Sequence, residues 1–224
     1  LCYHESITLS SLKTYFEMNS IFYIAILIMS IVIHEISHGF MAERFGDKTA
    51  RFAGRLTLNP LKHLDPFGSV ILPALLVLSH SPILFGWARP VPYNPDNLSD
   101  RKWGTVAVAA AGVLANFFIA LIFGTILRFI PDLNLSESMS ESLRFITTII
   151  VITNLGLGIF NLIPIPPLDG SKILFSLLPV SFYSFIEFME QYSLVLLLLF
   201  IVFLADILFP IIAFMFYLFT GLAL

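Results

Sequence analysis

The side chains best suited to chemistry lie in one short string, HEISH, at residues 34–38. On an α-helix four residues advance about 6 Å and turn about 400°, so the imidazoles of His34 and His38 share one face. Two imidazoles placed in this way suit a zinc ion, and a catalytic zinc takes three protein ligands and leaves a fourth position for water. Glu35 is too close in sequence to be a comfortable third ligand, but it can act as general base towards that water.

Chance is the alternative explanation of this string. A chain of this length shows the motif by composition with a probability on the order of one in a hundred. The string lies, however, inside the apolar run 21–41, which is long enough to cross a hydrocarbon core of about 30 Å. Ionisable side chains within a membrane-spanning helix are costly and usually mark function. The position of the string therefore favours a functional site.

The composition indicates a membrane protein. Of the 224 residues 58% are hydrophobic and only 12% are charged, and the mean hydropathy is +0.91. So little polar surface cannot cover a water-soluble globule, which excludes a soluble enzyme. The net charge is −3 with no basic stripe, so we expect no nucleic-acid partner. The single cysteine, Cys2, cannot form an intrachain disulfide. The chain starts at Leu1, and we expect its natural N-terminus to be missing.

Charges between the apolar runs predict the topology. Basic residues follow helix 21–41 and should face the cytoplasm: Arg44, Lys48, Arg51, Arg55 and Lys62. Segment 68–85 is short and proline-interrupted, which favours a re-entrant or shallow segment. Segments 104–130 and 145–163 then cross outwards and back, with the acidic loop 132–144 on the far side. An interfacial helix at 173–191 and an apolar stretch at 193–220, interrupted by Asp206 and Pro210, complete the chain.

These segments predict an all-α polytopic membrane protein with a bundle of about four to six transmembrane or re-entrant helices. No repeat or low-complexity linker divides the sequence, so we expect one domain over residues 1–224. Residues 20–175 would form its catalytic core and residues 176–224 its C-terminal membrane helices. We expect a multi-pass protein of a bacterial or archaeal cell membrane, with the active site near the cytoplasmic face.

The third zinc ligand must come from another segment, and the topology nominates Asp169. It follows the prolines at 164, 166 and 167, which end the preceding helix at the same cytoplasmic side as the histidines. The alternative is an ordinary turn, because Asp before Gly is a turn signal in its own right. The shared location favours the ligand, which completes a site of two histidines and one aspartate for one zinc per chain.

At these residues the sequence resembles the site-2 protease family of intramembrane zinc metalloproteases. The resemblance rests on HEISH at 34–38, on NLIPIPPLDG at 161–170, and on Gly112 spaced four residues from Asn116. It implies that His34, His38 and Asp169 bind zinc and that Glu35 is the catalytic base. The sequence departs from the family pattern at Val113, where proline is common. Many members also have a further spanning helix before the H-E-x-x-H helix, and we expect none in this sequence.

Several residues and segments around the predicted site allow two interpretations each. Asn116 on a small-residue face fits either interhelical packing or stabilisation of an oxyanion, and Asn154 and Asn161 share this ambiguity. Asn161 is also close enough in sequence to Asp169 to brace the site. Segment 51–60 favours a small β-hairpin that could hold extended substrate, with an ordinary loop as the alternative. Segment 85–92 fits either the substrate entry or the membrane interface. We expect His63 and Asp65 to be polar surface.

The function that fits best is a zinc endopeptidase that cleaves transmembrane segments of other membrane proteins. Its partners would be those substrates and the lipid bilayer, with a homo-oligomer left open. Two alternatives belong to other classes. A non-catalytic zinc scaffold would not need Glu35, because a structural zinc site is closed by a fourth ligand. A metal or proton transporter would spread ionisable residues along a pathway, whereas these gather at one end.

Overall fold

The computed structural model describes residues 20–71, 75 and 89–224, and over these residues the chain is helical, with no β-strand. We number the α-helices in chain order: α1 Ser20–Arg44, α2 Thr49–Phe52, α3 Arg101–Phe129, α4 Glu137–Asn161, α5 Asp169–Leu177, α6 Tyr183–Gln191, α7 Ser193–Leu204 and α8 Leu208–Thr220. Short turns of 3₁₀-helix lie at Pro60–Lys62, Pro95–Asn97, Ile130–Leu133, Val180–Phe182 and Ala205–Ile207, and a π-helical turn at Pro66–Ile71.

Three helices are long and apolar enough to cross a membrane: Phe22–Arg44, Arg101–Leu133 and Glu137–Asn161. A fourth span arises if Val180–Gln191 and Ser193–Leu204, which meet at a bend of 71°, are counted together. These spans confirm a multi-pass membrane protein and agree with the lower end of the predicted number. Large apolar side chains on α3 stay exposed along one stripe, Leu114, Phe118, Leu121 and Ile122. Such a stripe suits contact with lipid.

Helix α3 lies at the centre of the bundle and packs against α1, α4, α5 and α8. Its C-terminal half joins α4 and α8 in an apolar core made of residues such as Leu127, Leu155 and Phe216. Its N-terminal half is lined with small residues, among them the buried Ala109 and Gly112. Small side chains let helices approach closely, so α1 and α5 can both reach the same stretch of α3.

The third predicted crossing, segment 145–163, begins earlier than expected. Helix α4 starts at Glu137 rather than at residue 145, so most of the predicted acidic loop is helical. An acidic side chain in the first turn favours this start, because the N-terminal end of a helix carries partial positive charge. The connection from α3 shrinks to the 3₁₀ turn Ile130–Leu133 and the residues up to Ser136.

The predicted β-hairpin at 51–60 is wrong. Residues Thr49–Phe52 form helix α2, and its end is closed by two backbone bonds, from Gly54 to Arg51 and from Arg55 to Ala50. Gly54 has a φ of +63°, which is the left-handed cap that this type of helix ending requires. Asn59 then caps the 3₁₀ turn at Pro60–Lys62. The segment thus begins with the end of α2 and ends at the start of the 3₁₀ turn, and the few residues between them do not form paired strands.

The other predicted segments have mixed outcomes. The re-entrant segment 68–85 lies mostly outside the described residues, which include only its first residues, at the end of the π-helical turn, and Leu75. The predicted interfacial helix at 173–191 is divided around Pro179 into α5 and α6. The last apolar stretch breaks at Ala205–Ile207, which confirms the predicted interruption at Asp206. The predicted interruption at Pro210 is wrong, because Pro210 lies in the first turn of α8, where a proline breaks no helical hydrogen bond.

Candidate metal centre

Three buried side chains from two helices converge on one point. His34 and His38 lie one turn apart on α1, and Asp169 is the first residue of α5. The two Nε2 atoms are 3.0 Å apart, and Asp169 Oδ2 is 3.0 Å from His34 Nε2 and 3.1 Å from His38 Nε2. The three residues are 5%, 7% and 4% exposed. The structure thus brings together the three residues nominated from the sequence as a group that could hold a metal ion.

A chain of hydrogen bonds fixes which nitrogen of His34 carries its proton. Asn154 Nδ2 donates to the Ile150 carbonyl, so its Oδ1 accepts from Asn116 Nδ2 at 2.8 Å. Asn116 Oδ1 in turn accepts from His34 Nδ1 at 2.6 Å. The lone pair of a neutral His34 ring is therefore on Nε2, which faces Asp169. Asn154 Nδ2 also donates to Ser30 Oγ at 3.0 Å, which ties α1, α3 and α4 together around this ring.

His38 is oriented in the same way by a different partner. Its Nδ1 lies 2.6 Å from the Val108 carbonyl oxygen, and a carbonyl can only accept, so Nδ1 carries the proton. The lone pairs of both neutral imidazoles and of the Asp169 carboxylate then meet within about 3 Å. Lone pairs in such contact repel one another unless a cation lies among them. Two imidazole nitrogens and one carboxylate oxygen are the donor set of a catalytic zinc site, so these residues fit the metal.

Glu35 and Lys172 border the three ligand atoms. Glu35 Oε2 accepts a 2.8 Å hydrogen bond from the backbone N–H of Val91. Lys172 Nζ donates to the other Asp169 oxygen, Oδ1, at 2.9 Å. Partial burial favours a neutral Lys172, but the Asp169 carboxylate outweighs this and raises the pKa of the ammonium group. Lys172 therefore stays charged and holds Asp169 so that Oδ2 faces the histidines.

Gly112 gives the two imidazoles their space. A methyl group built on Gly112 would lie 2.5 Å from His38 Nε2 and 2.6 Å from His34 Cε1. Real side-chain atoms do not approach so closely, so any larger residue must displace the rings. The Gly112 and Asn116 spacing noticed in the sequence therefore has two structural roles, since Gly112 makes room for the rings and Asn116 orients one of them.

We expect Gly112→Ala to lower the affinity for zinc by at least about 10-fold, the lower end of effects seen when residues around metal ligands change. The added methyl group pushes both rings away from Asp169. Gly156→Ala is the matched control, because a methyl group there meets nothing within 4 Å. Zinc content after dialysis at graded free zinc measures the effect. Equal zinc binding by the two variants would contradict the proposed crowding.

The remaining predicted residues have different surroundings. Asn161 Nδ2 donates to the Leu157 carbonyl within α4, so its bracing role stays a prediction without a contact in its support. His63 is only 1% exposed and its Nε2 lies 2.9 Å from the Thr57 carbonyl oxygen, so the expectation of polar surface was wrong for it. Asp65 is half-buried and its Oδ1 accepts from the N–H groups of Phe67 and Gly68.

Two neighbours of the site were not predicted. Ser30 and Lys172 were passed over, although a serine in an apolar helix and a lysine three residues after Asp169 are visible signals in the sequence. Segment 85–92 was left open between substrate entry and membrane interface. Its described part supplies the Val91 N–H that contacts Glu35, so this part lies at the site.

The site consists of two buried histidines and one buried aspartate with a half-buried carboxylate beside them, and it lies among membrane-spanning helices. These features are typical of a metalloenzyme embedded in a membrane. Comparison with known proteins gives the family. The model of peptidase family M50 matches residues 22–151 and 130–205. The chain therefore belongs to peptidase family M50, the site-2 protease family that its motifs indicate.

Named relatives agree with this family. The chain is 37% identical over 187 residues to the "Putative zinc metalloprotease YwhC" of Bacillus subtilis, with 82% of each chain covered. It is 32% identical over 143 residues to the "Putative zinc metalloprotease Rip2" of Mycolicibacterium smegmatis, which covers 64% of this chain and 52% of the relative. The "Zinc metalloprotease MJ0392" of Methanocaldococcus jannaschii is 27% identical over 163 residues, or 71% of this chain and 36% of the relative. No solved structure matches the chain significantly.

Proposed function

We propose that this protein is a zinc endopeptidase that hydrolyses peptide bonds within or near the transmembrane segments of other membrane proteins. The observation that carries the proposal is the meeting of His34, His38 and Asp169 within 3.1 Å, next to Glu35. Its family and the names of its relatives support the same activity. The protein would act as one domain in a multi-pass bacterial or archaeal membrane, on substrates that reach it through the lipid bilayer.

Each side chain of the site has a defined task in this reaction. His34, His38 and Asp169 would hold zinc, which when bound would supply Lewis acidity and lower the pKa of water to near neutral pH. Glu35 takes a proton from the attacking water and later passes it to the leaving amine. One Glu35 oxygen is bound to the Val91 N–H, which leaves the other oxygen for that water. Asn116 and the Val108 carbonyl keep the imidazole rings in the required tautomer.

The two other classes of function fit the structure less well. A structural zinc scaffold has no use for Glu35, and it closes its metal with a fourth protein ligand. Among the described residues, only His34, His38 and Asp169 form a metal-binding group. A transporter requires ionisable groups along a path across the membrane. Asp206, the other acid in an apolar stretch, is exposed in the break between α7 and α8, so it does not extend such a path.

The active site should lie near the cytoplasmic face, since basic residues follow α1 and two more, Arg101 and Lys102, begin α3. We therefore expect Lys62→Cys to react with a membrane-impermeant thiol reagent only from the cytoplasmic side. Ser136→Cys, between α3 and α4, should react only from the opposite side. Both positions are exposed, and Cys2→Ser in the background removes the native thiol. Labelling of right-side-out and inverted vesicles decides the matter. Reaction of both cysteines from one side would overturn the proposed orientation.

The substrate class is tested with purified protein in liposomes and a panel of single-span substrates. We expect cleavage of members whose apolar segment has helix-weakening residues near its cytoplasmic end, because a regular helix hides its carbonyl groups from attack. Cleavage sites are read by mass spectrometry. A water-soluble unfolded polypeptide is the control. Cleavage of that polypeptide alone, with the membrane substrates intact, would contradict an intramembrane substrate class.

A further inference from the structure

The backbone of residues 89–91 reaches Glu35 from outside the central helices. The Val91 N–H donates a 2.8 Å hydrogen bond to Glu35 Oε2, and Val91 is buried. This N–H belongs to the same peptide unit as the Pro90 carbonyl. In a trans peptide the carbonyl and the N–H point in opposite directions. Any group that holds the Pro90 carbonyl therefore also sets the direction of the N–H that holds Glu35.

Arg55 is the side chain that holds this peptide unit. Its Nη2 donates to the carbonyl oxygens of Pro90 at 3.2 Å and of Arg89 at 2.6 Å. The Pro90–Val91 peptide unit thus connects a guanidinium on one side to a carboxylate on the other. Hydrogen bonds in such a chain polarise one another, so the Arg55 charge strengthens the bond that Val91 donates to Glu35.

The state of Arg55 suggests more than a packing role. It is only 7% exposed, and burial of a charge is costly without compensation. No carboxylate of the described residues forms an ion pair with it, and its Nε is buried without a hydrogen-bond partner. Its compensation comes from its bonds to the carbonyls of Arg89 and Pro90 and from the attraction of the nearby Glu35 carboxylate. Because the buried Arg55 charge bonds to the backbone carbonyls of Arg89 and Pro90, we infer that its role is to position the segment that carries them.

The segment is anchored a second time from the same loop. The Arg89 N–H donates a 2.8 Å hydrogen bond to the His63 carbonyl. His63 is itself fixed, since its ring is buried and its Nε2 lies 2.9 Å from the Thr57 carbonyl oxygen. The loop between α2 and the π-helical turn therefore binds residues 89 and 90 through two of its residues, Arg55 and His63. This also gives the buried His63, unexplained by the metal centre, a structural role.

We propose that Arg55 is a positioning residue for the general base. It orients the Pro90–Val91 peptide so that the Val91 N–H fixes one oxygen of Glu35 and leaves the other directed at the attacking water. This inference rests on the proposed catalytic role of Glu35. Catalysis is sensitive to such placement, because a shift of about 1 Å in a reacting group can cost about 100-fold in rate.

Arg55→Met tests the inference through kinetics. We expect kcat to fall about 10-fold to 100-fold, with KM changed by less than about 2-fold and with the zinc content of the parent protein. Arg55→Lys should restore part of kcat, since an ammonium group can still donate to one of the two carbonyls. Arg51→Met is the matched control, because Arg51 is exposed and pairs with Glu43 at the surface. It should leave kcat unchanged.

Hydrogen exchange tests the same contact without any activity. In residues 89–93 only Arg89, Val91 and Tyr93 carry backbone N–H groups, because residues 90 and 92 are prolines. Arg55→Met should accelerate exchange at Val91, and so should Glu35→Ala, which removes the acceptor. Arg51→Met should not. Fragmentation of the 89–93 peptide in the mass spectrometer assigns the exchange to Val91.

Three results would overturn the inference: an unchanged kcat in Arg55→Met, a loss that is confined to KM or matched by loss of zinc, or unchanged Val91 exchange in that variant. Failure of the proposed function has a different signature. In that case the parent would cleave no membrane-spanning substrate, or Glu35→Gln would cleave one at the parental rate, while the exchange data would still report whether Arg55, Val91 and Glu35 are coupled.

Discussion

Replacement of Glu35 by glutamine is expected to lower cleavage by about 10²-fold to 10⁴-fold, the range typical for loss of a general base. The amide is close in size to the carboxylate and leaves His34 and His38 on the same face of α1. It cannot take a proton from water or deliver one to the leaving amine at a useful rate. Zinc should therefore remain bound while the rate falls, and the comparison of cleavage rate with metal content measures both.

Glu35→Asp serves as the second variant in this series. It keeps the carboxylate but shortens the side chain by one carbon, so it moves the charge away from both the water and the Val91 N–H. We expect little recovery of the rate. Parental cleavage by Glu35→Gln with full zinc content would rule out the mechanism proposed for Glu35. Loss of zinc from Glu35→Gln would instead assign Glu35 to the metal ligands.

Asp169→Ala is expected to weaken zinc binding by more than about 100-fold, since loss of a direct ligand exceeds the effects of its neighbours. The substitution removes the only carboxylate among the three ligand atoms. It also frees the Lys172 ammonium, now 2.9 Å from Asp169 Oδ1, whose positive charge then opposes a cation at the site. Elemental analysis of the purified variant gives the zinc per chain.

Asp132→Ala is the matched control for this substitution, because Asp132 is exposed in the turn after α3. It should keep the zinc content of the parent protein. Normal zinc in Asp169→Ala would remove Asp169 from the ligand set and leave the third ligand to be found elsewhere. Zinc loss in both variants would indicate that metal binding fails through general destabilisation.

The elements around the site were predictable to different degrees. The shared face of His34 and His38 follows from helical periodicity alone, which is local. The approach of Asp169 needed the additional rule that basic loops face the cytoplasm, because Asp169 lies 131 positions after His38 in the sequence. The orientation of the rings by Asn116 and Asn154 was not predictable, since it depends on how α3 and α4 rotate about their axes.

The errors have equally specific causes. Alternation of apolar and polar residues over a few positions is compatible with both a strand and the end of a helix, and at 51–60 the cap at Gly54 decides for the helix. His63 lies in a loop, and loops are usually surface. The His63 carbonyl accepts a hydrogen bond from the Arg89 N–H, and this bond holds the loop against residues 89 and 90. The local sequence around His63 does not indicate a partner 26 residues away.

A zinc titration of cleavage tests the central claim most directly. Parent protein and Glu35→Gln are stripped of metal in detergent, and zinc is restored in steps while zinc content and cleavage of a single-span substrate are measured together. For the parent we expect no cleavage without zinc and a rate that rises in proportion to bound zinc up to about one ion per chain. Glu35→Gln should bind zinc equally and stay inactive. Cleavage by the metal-free parent, or parental cleavage by zinc-loaded Glu35→Gln, would contradict a zinc endopeptidase built on these residues.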